Sequence, residues 1–342
     1  MLRKKMLRLF LMLIISSKLN AQDVHYSQIA NFGLFYNPAH TGNFNGNSRA
    51  MAIFRNQNIA VANTPVTGVY NSYGASFDTK LFKEYTGDNT WSVGILFNGD
   101  HAGEGTLSTH DVSIATSYKL ALDRYGSSFL SAGIQGGFTS KRLFSQDLIF
   151  GNQVEGFEFN PQVPNFETFL DGRTQIQANF NLGVLWQQKV NDGFGYQMGF
   201  AIYNLNSPNQ FFYENSKSSV YKRYVIHAGT EFFADETLVI SPSIVYMKQG
   251  PATQTNVSMI VKKNVNEYLN VVGGLRYRIK DAFILQAGVE YQKYRVSVSY
   301  DFTVSGLSSA NKTQGAFELS FGYIFGDETE VSLSGKQFCP TF

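Results

Sequence analysis

The side chains best suited to bind a metal or move protons near neutral pH are five histidines, at positions 25, 40, 101, 110 and 227. Their spacing puts no two rings on a common face, and nothing in the chain has the form of a nucleophile elbow or a phosphate loop. Cys339 is the single cysteine, which excludes an intramolecular disulfide and a cysteine-based zinc cluster. Gly99, Asp100, His101, Gly103, Glu104 and Gly105 offer ligands to a cation, although a glycine-rich turn accounts for the same residues. Arg276, Glu290, Arg295 and Asp301 either line a conduction path or brace an interior as ion pairs. Asp147, Glu155, Glu158 and Glu167 make either a binding surface or a solvated loop. The chemistry-bearing residues therefore predict no catalytic residue, no cofactor and no metal, and attention passes to the elements that carry them.

Residues 1–21 have the layout of a secretory signal peptide. Arg3, Lys4, Lys5 and Arg8 precede an apolar stretch from Leu9 to Ile15, then Ser16 and Ser17, with a candidate cut after Ala21. With Lys18, that segment holds five basic residues, and without it 23 basic side chains face 26 acidic ones, a net of −3. Such a chain lacks the clustered positive surface that nucleic acid requires. No apolar run reaches the roughly 18–20 residues of a membrane helix.

Two-residue alternation dominates instead, from about residue 47 to residue 325, as β side chains project to opposite faces in turn. Ile176, Ala178, Phe180, Leu182, Val184 and Trp186 take one face while Gln175, Gln177, Asn179, Asn181 and Gly183 take the other. Tyr294 to Val304 and Phe317 to Phe325 repeat the pattern. The segments run well beyond the roughly 5–6 residues of soluble strands, and aromatics sit near the ends of their apolar faces. The opposite face is small and polar with occasional charges such as His227, Glu231, Lys262 and Arg276, which suits a wet or hydrogen-bonded lumen rather than a dry core. The predicted fold is all-β, a transmembrane antiparallel barrel of the bacterial outer-membrane type.

About 14 strands are expected, near 47–62, 66–80, 89–101, 107–121, 127–142, 174–189, 194–206, 221–234, 237–249, 252–263, 268–280, 282–292, 294–305 and 314–325. The three longest connections, near 143–173, 207–220 and 306–313, then share one side, and tight turns such as Asn191-Asp192-Gly193 fall on the other. The even count puts both termini on the periplasmic side. Residues 22–46, polar and glycine-rich, either tuck into the lumen or lie at its periplasmic mouth. Residues 326–342 form a periplasmic tail.

Several residues together resemble a family. Gln22, Asp23, Tyr26, Ser27 and Gln28, followed by Tyr36-Asn37-Pro38-Ala39 and Gly42, are similar to the opening of the PorP/SprF family of type IX secretion membrane proteins. Arg55 and Gln57 match its Arg-x-Gln element, without the tryptophan that usually follows, and Ser76, Phe77 and Asp78 its second-strand element. Tyr203, Asn204, Leu205, Pro208 and Asn209 resemble its mid-barrel strand-to-loop segment. Tyr300, Asp301, Ser305, Gly306 and Leu307, then Gly315, Phe317, Glu318, Ser320, Gly322 and Tyr323, resemble its closing hairpin, and Cys339-Pro340 with Phe342 its ending.

The resemblance implies an outer-membrane protein of the type IX export machinery of Bacteroidota, without catalysis, serving exported cargo that includes gliding adhesins or the periplasmic machine. It also implies recognition of a cargo's C-terminal domain and retention of that cargo at the cell surface. The alternative is a diffusion channel or a hydrophobic-solute transporter of the fatty-acid type, for which a longer, more apolar segment before the first strand is expected. The candidate anchors for a partner are Phe150, Phe157, Phe159, Phe166, Phe211, Phe212 and Tyr213, in the two longest connections. They either meet the partner or fold back over the barrel mouth. Val331 and Leu333 in the tail could add to a partner sheet, and Cys339 is either a buried contact or an intermolecular disulfide.

Overall fold

The computed structural model describes residues 25–57, 70–81, 89–102, 107–143, 153–155, 158–160, 162–163, 174–210, 219–306, 308 and 313–326. Among these, fourteen antiparallel strands close into a barrel. They are β1 (Ser48–Gln57), β2 (Tyr70–Leu81), β3 (Thr90–Ala102), β4 (Leu107–Ala121), β5 (Ser128–Leu143), β8 (Thr174–Asn191), β9 (Phe194–Tyr203), β10 (Arg223–Phe233), β11 (Leu238–Gln249), β12 (Ala252–Asn266), β13 (Leu269–Arg278), β14 (Ala282–Tyr291), β15 (Tyr294–Thr303) and β16 (Gln314–Phe325). Two short strands, β6 (Val154–Glu155) and β7 (Glu158–Phe159), pair with each other inside the longest connection. Each barrel strand pairs with its neighbours in sequence, and β1 meets β16 from Ser48 opposite Phe325 to Gln57 opposite Ala316. That seam leaves no open edge, as a sheet in lipid requires.

The expected strands are all present, with ends that differ by a few residues where they are described; residues 58–62 and 66–69 of the first two lie outside the described residues. β9 stops at Tyr203 rather than 206 because Asn204 takes a positive φ of 55° and Leu205 bonds back to Phe180. β12 runs on to Asn266, past the expected 263, across a bulge between Asn264 and Asn266. The β6–β7 ribbon was not expected, because two-residue strands carry no readable period.

The two faces separate as the alternation predicts. Ile95, Ile114, Ile134, Leu182, Leu275, Leu285 and Val298 project outward around the middle of the wall. Aromatics band both ends of that face. Tyr70, Tyr224, Tyr277, Phe283 and Phe302 lie toward the rim with the long connections, here the loop rim. Phe77, Trp91, Tyr118, Trp186 and Phe325 lie toward the opposite rim, where β1 begins and β16 ends, here the terminal rim. Such girdles suit rings that sit between lipid and water.

Of the two places expected for the segment before β1, residues 25–46 take the lumen. There they form a more aromatic plug than their asparagines and glycines suggest, and their first described residues lie toward the loop rim. Two 3-10 turns, Ile29–Phe35 and Pro38–His40, carry it. Tyr26, Ile29, Phe32, Phe35 and Tyr36 pack with Met51, Ile53, Leu96, Ala201, Val225, Val245 and Met247 of the inner wall, so part of the expected hydrated lumen is a dry core. Tyr26 stands edge-on to Phe32 and Phe35 at centroid distances of 5.4 and 5.2 Å, the arrangement the ring quadrupole favours.

Candidate functional site: the plugged lumen

The outer end of the plug is held by charge. Arg55 on β1 and Glu318 on β16 are register partners across the seam, and Arg55 Nη1 lies 2.5 Å from Glu318 Oε1. The same carboxylate accepts from the backbone N–H of Ser27 at 2.6 Å and of Gln28 at 2.9 Å. Asp301 on β15 accepts from the Ser27 hydroxyl (2.8 Å), Arg55 (3.1 Å) and Arg278 of β13 (3.2 Å). Both guanidinium groups also donate to Ser27 Oγ. Arg55, Asp301 and Glu318 are nearly or fully buried, so every charge in the clamp depends on its partners. Gln28 and Asn31 extend the grip to Ser299 and Ser320.

The middle of the plug is held by shape. Asn37 caps the second turn by accepting from the Ala39 N–H at 2.9 Å, and its amide nitrogen reaches Val184 O and His227 Nε2 at 3.0 Å each. Pro38 at the first position suits a turn that needs no N–H there. Two positions of the wall beside it are glycine. A Cβ at Gly133 of β5 would stand 2.5 Å from the Pro38 carbonyl carbon, and one at Gly183 of β8 would stand 2.0 Å from Asn37 Oδ1. Near the terminal rim, the Gly42 N–H donates to Asp78, which also receives a bidentate Arg49. Gly42 has φ +74°, and a Cβ there would lie 1.9 Å from Ser92 Oγ.

The residues singled out from sequence divide into three groups. Arg55 and Asp301 belong to the clamp, with Gln57 at its edge, 3.4 Å from Arg55 Nη2. Asn37, Pro38 and Gly42 belong to the plug. Gly322 faces it on the inner wall, where a Cβ would meet Met51 Sδ at 2.5 Å. Asn204, Pro208 and Asn209 form a turn on the loop rim, apart from the clamp, with Asn204 N bonded to Asn181 and an isolated bridge from Asn209 to Ser219. Tyr300 faces outward against Phe302. Phe159 lies in β7. Phe150, Phe157, Phe166, Phe211, Phe212, Tyr213, Val331, Leu333 and Cys339 lie outside the described residues, as do residues 1–21 and the tail beyond Gly326.

The lumenal charges are mostly braces. Glu290 is flanked by Arg295 at 3.6 Å and Lys262 at 3.8 Å near the terminal rim. Arg276 differs, buried with Nε and Nη1 lacking hydrogen-bond partners. The histidines do meet across strands, contrary to the reading from spacing. His101 and His110 lie edge-on at 5.6 Å beside Tyr73 on the outward face, and His40 lies 5.1 Å from His227 inside. Spacing along the chain cannot show pairs made by register. No group of three or more metal-ligating side chains occurs among the described residues. The contributions of Arg278, Arg49 and the glycine seat went unread for the same reason, since each sits on the expected inner face but finds its partner only through the barrel.

A closed, aromatic-girdled barrel with a stoppered lumen defines an outer-membrane-type β-barrel protein. Residues 18–323 match the profile of the type IX secretion system membrane protein PorP/SprF, so the chain belongs to that family. No curated protein matches it. Among solved structures, the Ralstonia pickettii toluene transporter TbuX is 12% identical, covering 87% of this chain and 94% of its own, with a TM-score of 0.51. The CymD monoaromatic hydrocarbon channel is 11% identical over 88% of this chain and 94% of its own, with a TM-score of 0.50. These likenesses concern the fold.

Proposed function

We propose that this protein is a non-catalytic receptor barrel of the type IX machinery, with its loop rim at the cell surface. It binds an exported, adhesin-like surface protein, through that protein's C-terminal domain, and machine components at the periplasmic rim, aiding secretion and surface attachment. The observation that carries this reading is the plug, since a barrel stoppered by its own buried chain acts through its surfaces. Membership of a secretion family supports it, as does the concentration of long connections on one rim. The experiment is purification of the cross-linked barrel from its native envelope with identification of what is bound. Recovery of an exported protein whose C-terminal domain is necessary for the link supports the reading, and recovery of neither cargo nor machine components refutes it.

A second reading is transport of a hydrophobic solute. It is favoured by the apolar packing of the plug, although the segment is shorter than expected of such transporters, and by barrels of like fold named for toluene and other monoaromatic hydrocarbons. Planar-bilayer recording and toluene uptake by cells expressing the barrel separate the two. Steady current or uptake that ends when the barrel is removed favours transport.

A further inference from the structure

The plug does not fill the lumen evenly. Its apolar cluster takes wall residues from β1, β3 and β9–β11 and none from β12–β15. Against the plug, the inward Ser92, Ser117, Ser131, Leu185 and Gln197 are nearly or fully buried. On β12–β15 the inward Lys262, Asn270, Val272, Gln286, Glu290 and Arg295 remain part-exposed, and they line a recess that opens at the terminal rim. The charges of that recess do not balance. Glu290 accepts from Asn270 Nδ2 at 3.3 Å, and both Arg295 Nε at 3.6 Å and Lys262 Nζ at 3.8 Å lean on the same carboxylate. The two cations are loosely held, each with 27% of its side chain exposed. The other inward acids of β15 and β16, Asp301 and Glu318, are committed to the clamp. One positive charge is therefore left over, and a carboxylate entering from the terminal rim would match it.

We propose that the recess seats this chain's own C-terminal tail, with the Glu330 carboxylate accepting from Lys262 and Arg295. Three observations choose that occupant. The tail opens with Asp327, Glu328 and Glu330 and holds one basic residue, Lys336, so its charge is complementary. It also starts beside the mouth, since β16 is the neighbour of β15 and Arg295 is the register partner of Gly322, four positions before Gly326. Gly326, at φ +90°, takes the chain out of the strand direction, a turn that glycine makes without strain. Four extended residues span about 13 Å, so a chain that folds back at Gly326 has come level with Arg295 by Glu330. Tethering adds a last argument, because a carboxylate held this close has an effective concentration of millimolar order, which a free partner segment must exceed. Seated, the tail closes the terminal mouth of the recess beneath the plug, a contact within the chain that stands apart from cargo capture.

The test is carbodiimide cross-linking of the full chain in lipid nanodiscs that hold one copy each, with the amide links located by mass spectrometry. A carbodiimide joins a carboxyl to an amine only where the two meet. The link from Lys262 to Glu290 reports an intact recess, and a link from Lys262 to Glu330 is expected beside it. Glu330→Gln should lower linkage of Lys262 to the tail about tenfold, the loss of one charge-assisted hydrogen bond, and leave the Glu290 link in place. Molar salt should weaken the tail link, as screening requires. Lys262→Glu and Glu330→Lys should each abolish the link between positions 262 and 330, and the two changes combined should restore it, which a merely structural role for either residue would not do. The heat-dependent gel shift confirms that each variant forms a barrel. A Glu290 link without any tail link in the wild type, equal tail linkage in the wild type and the Glu330→Gln variant, or a link in native envelopes from Lys262 to another protein in place of the tail overturns the proposal.

Discussion

Glu318 has three tasks in one carboxylate: it pairs with Arg55, caps two backbone N–H groups of the plug, and ties β16 to β1. Replacing it with Ala leaves Arg55 only one carboxylate, Asp301, which it shares with Arg278, so the clamp holds an uncompensated buried charge, a change that costs about 3–5 kcal/mol. Urea unfolding of the refolded barrel should register that loss, while the double change Arg55→Met with Glu318→Met should be milder because no lone charge remains. Two of the clamp's residues, Arg55 and Asp301, were legible through family motifs, and Glu318 through the closing hairpin. Arg278 was not, because it lies 23 positions from Asp301 in sequence and meets it only over the intervening strand β14.

At the scale of the element, alternation made the strands readable and register did not, since register depends on partners that a single segment cannot reveal. Val298 projects outward, and Val298→Arg should impair insertion by about 2–4 kcal/mol if it lies near mid-membrane. The inward Ser297→Arg overfills a packed lumen at about 1–3 kcal/mol. Folding into vesicles, followed by the heat-dependent gel shift, measures both. A lumenal place for the plug was one of two readings open from sequence, but its apolar packing was not legible, because those residues recur at 29, 32 and 35, a three-residue turn pattern too brief to stand out among asparagines and glycines. A bulky Gly133→Val should unseat it and expose residues 25–46 to protease, with the barrel still closed. On the terminal-rim turn 122–127, hydrogen bonds from the Ser127 hydroxyl and N–H hold the Asp123 carboxyl below its ordinary range. That order is complete above the ordinary carboxylate value and is lost as pH falls through the lowered one. Protection of the Ser127 amide, relative to its intrinsic exchange rate, should therefore fall only in acid.

For the whole molecule, fold class and strand number followed from period, length and the even count, whereas the contents of the lumen followed from nothing periodic. Deleting residues 25–44 should convert a silent barrel into one that passes steady current in planar bilayers; an unchanged trace would mean that the plug does not seal. The clamp also bears on how the molecule is made. Arg55 and Glu318 are 263 residues apart and sit on the first and last strands, so their ion pair cannot form until β16 has been made, although Arg278 and Asp301 can meet sooner. The plug must already be inside when those strands meet, because a closed wall gives it no side entrance. Stoppering and zipping are consequently one late event, and the N-terminal segment acts as a mandrel around which the seam is joined. Chains lacking Ser27, Gln28 or Glu318 should accumulate on the assembly pathway as unjoined sheets, a kinetic fault apart from the stability they lose once complete.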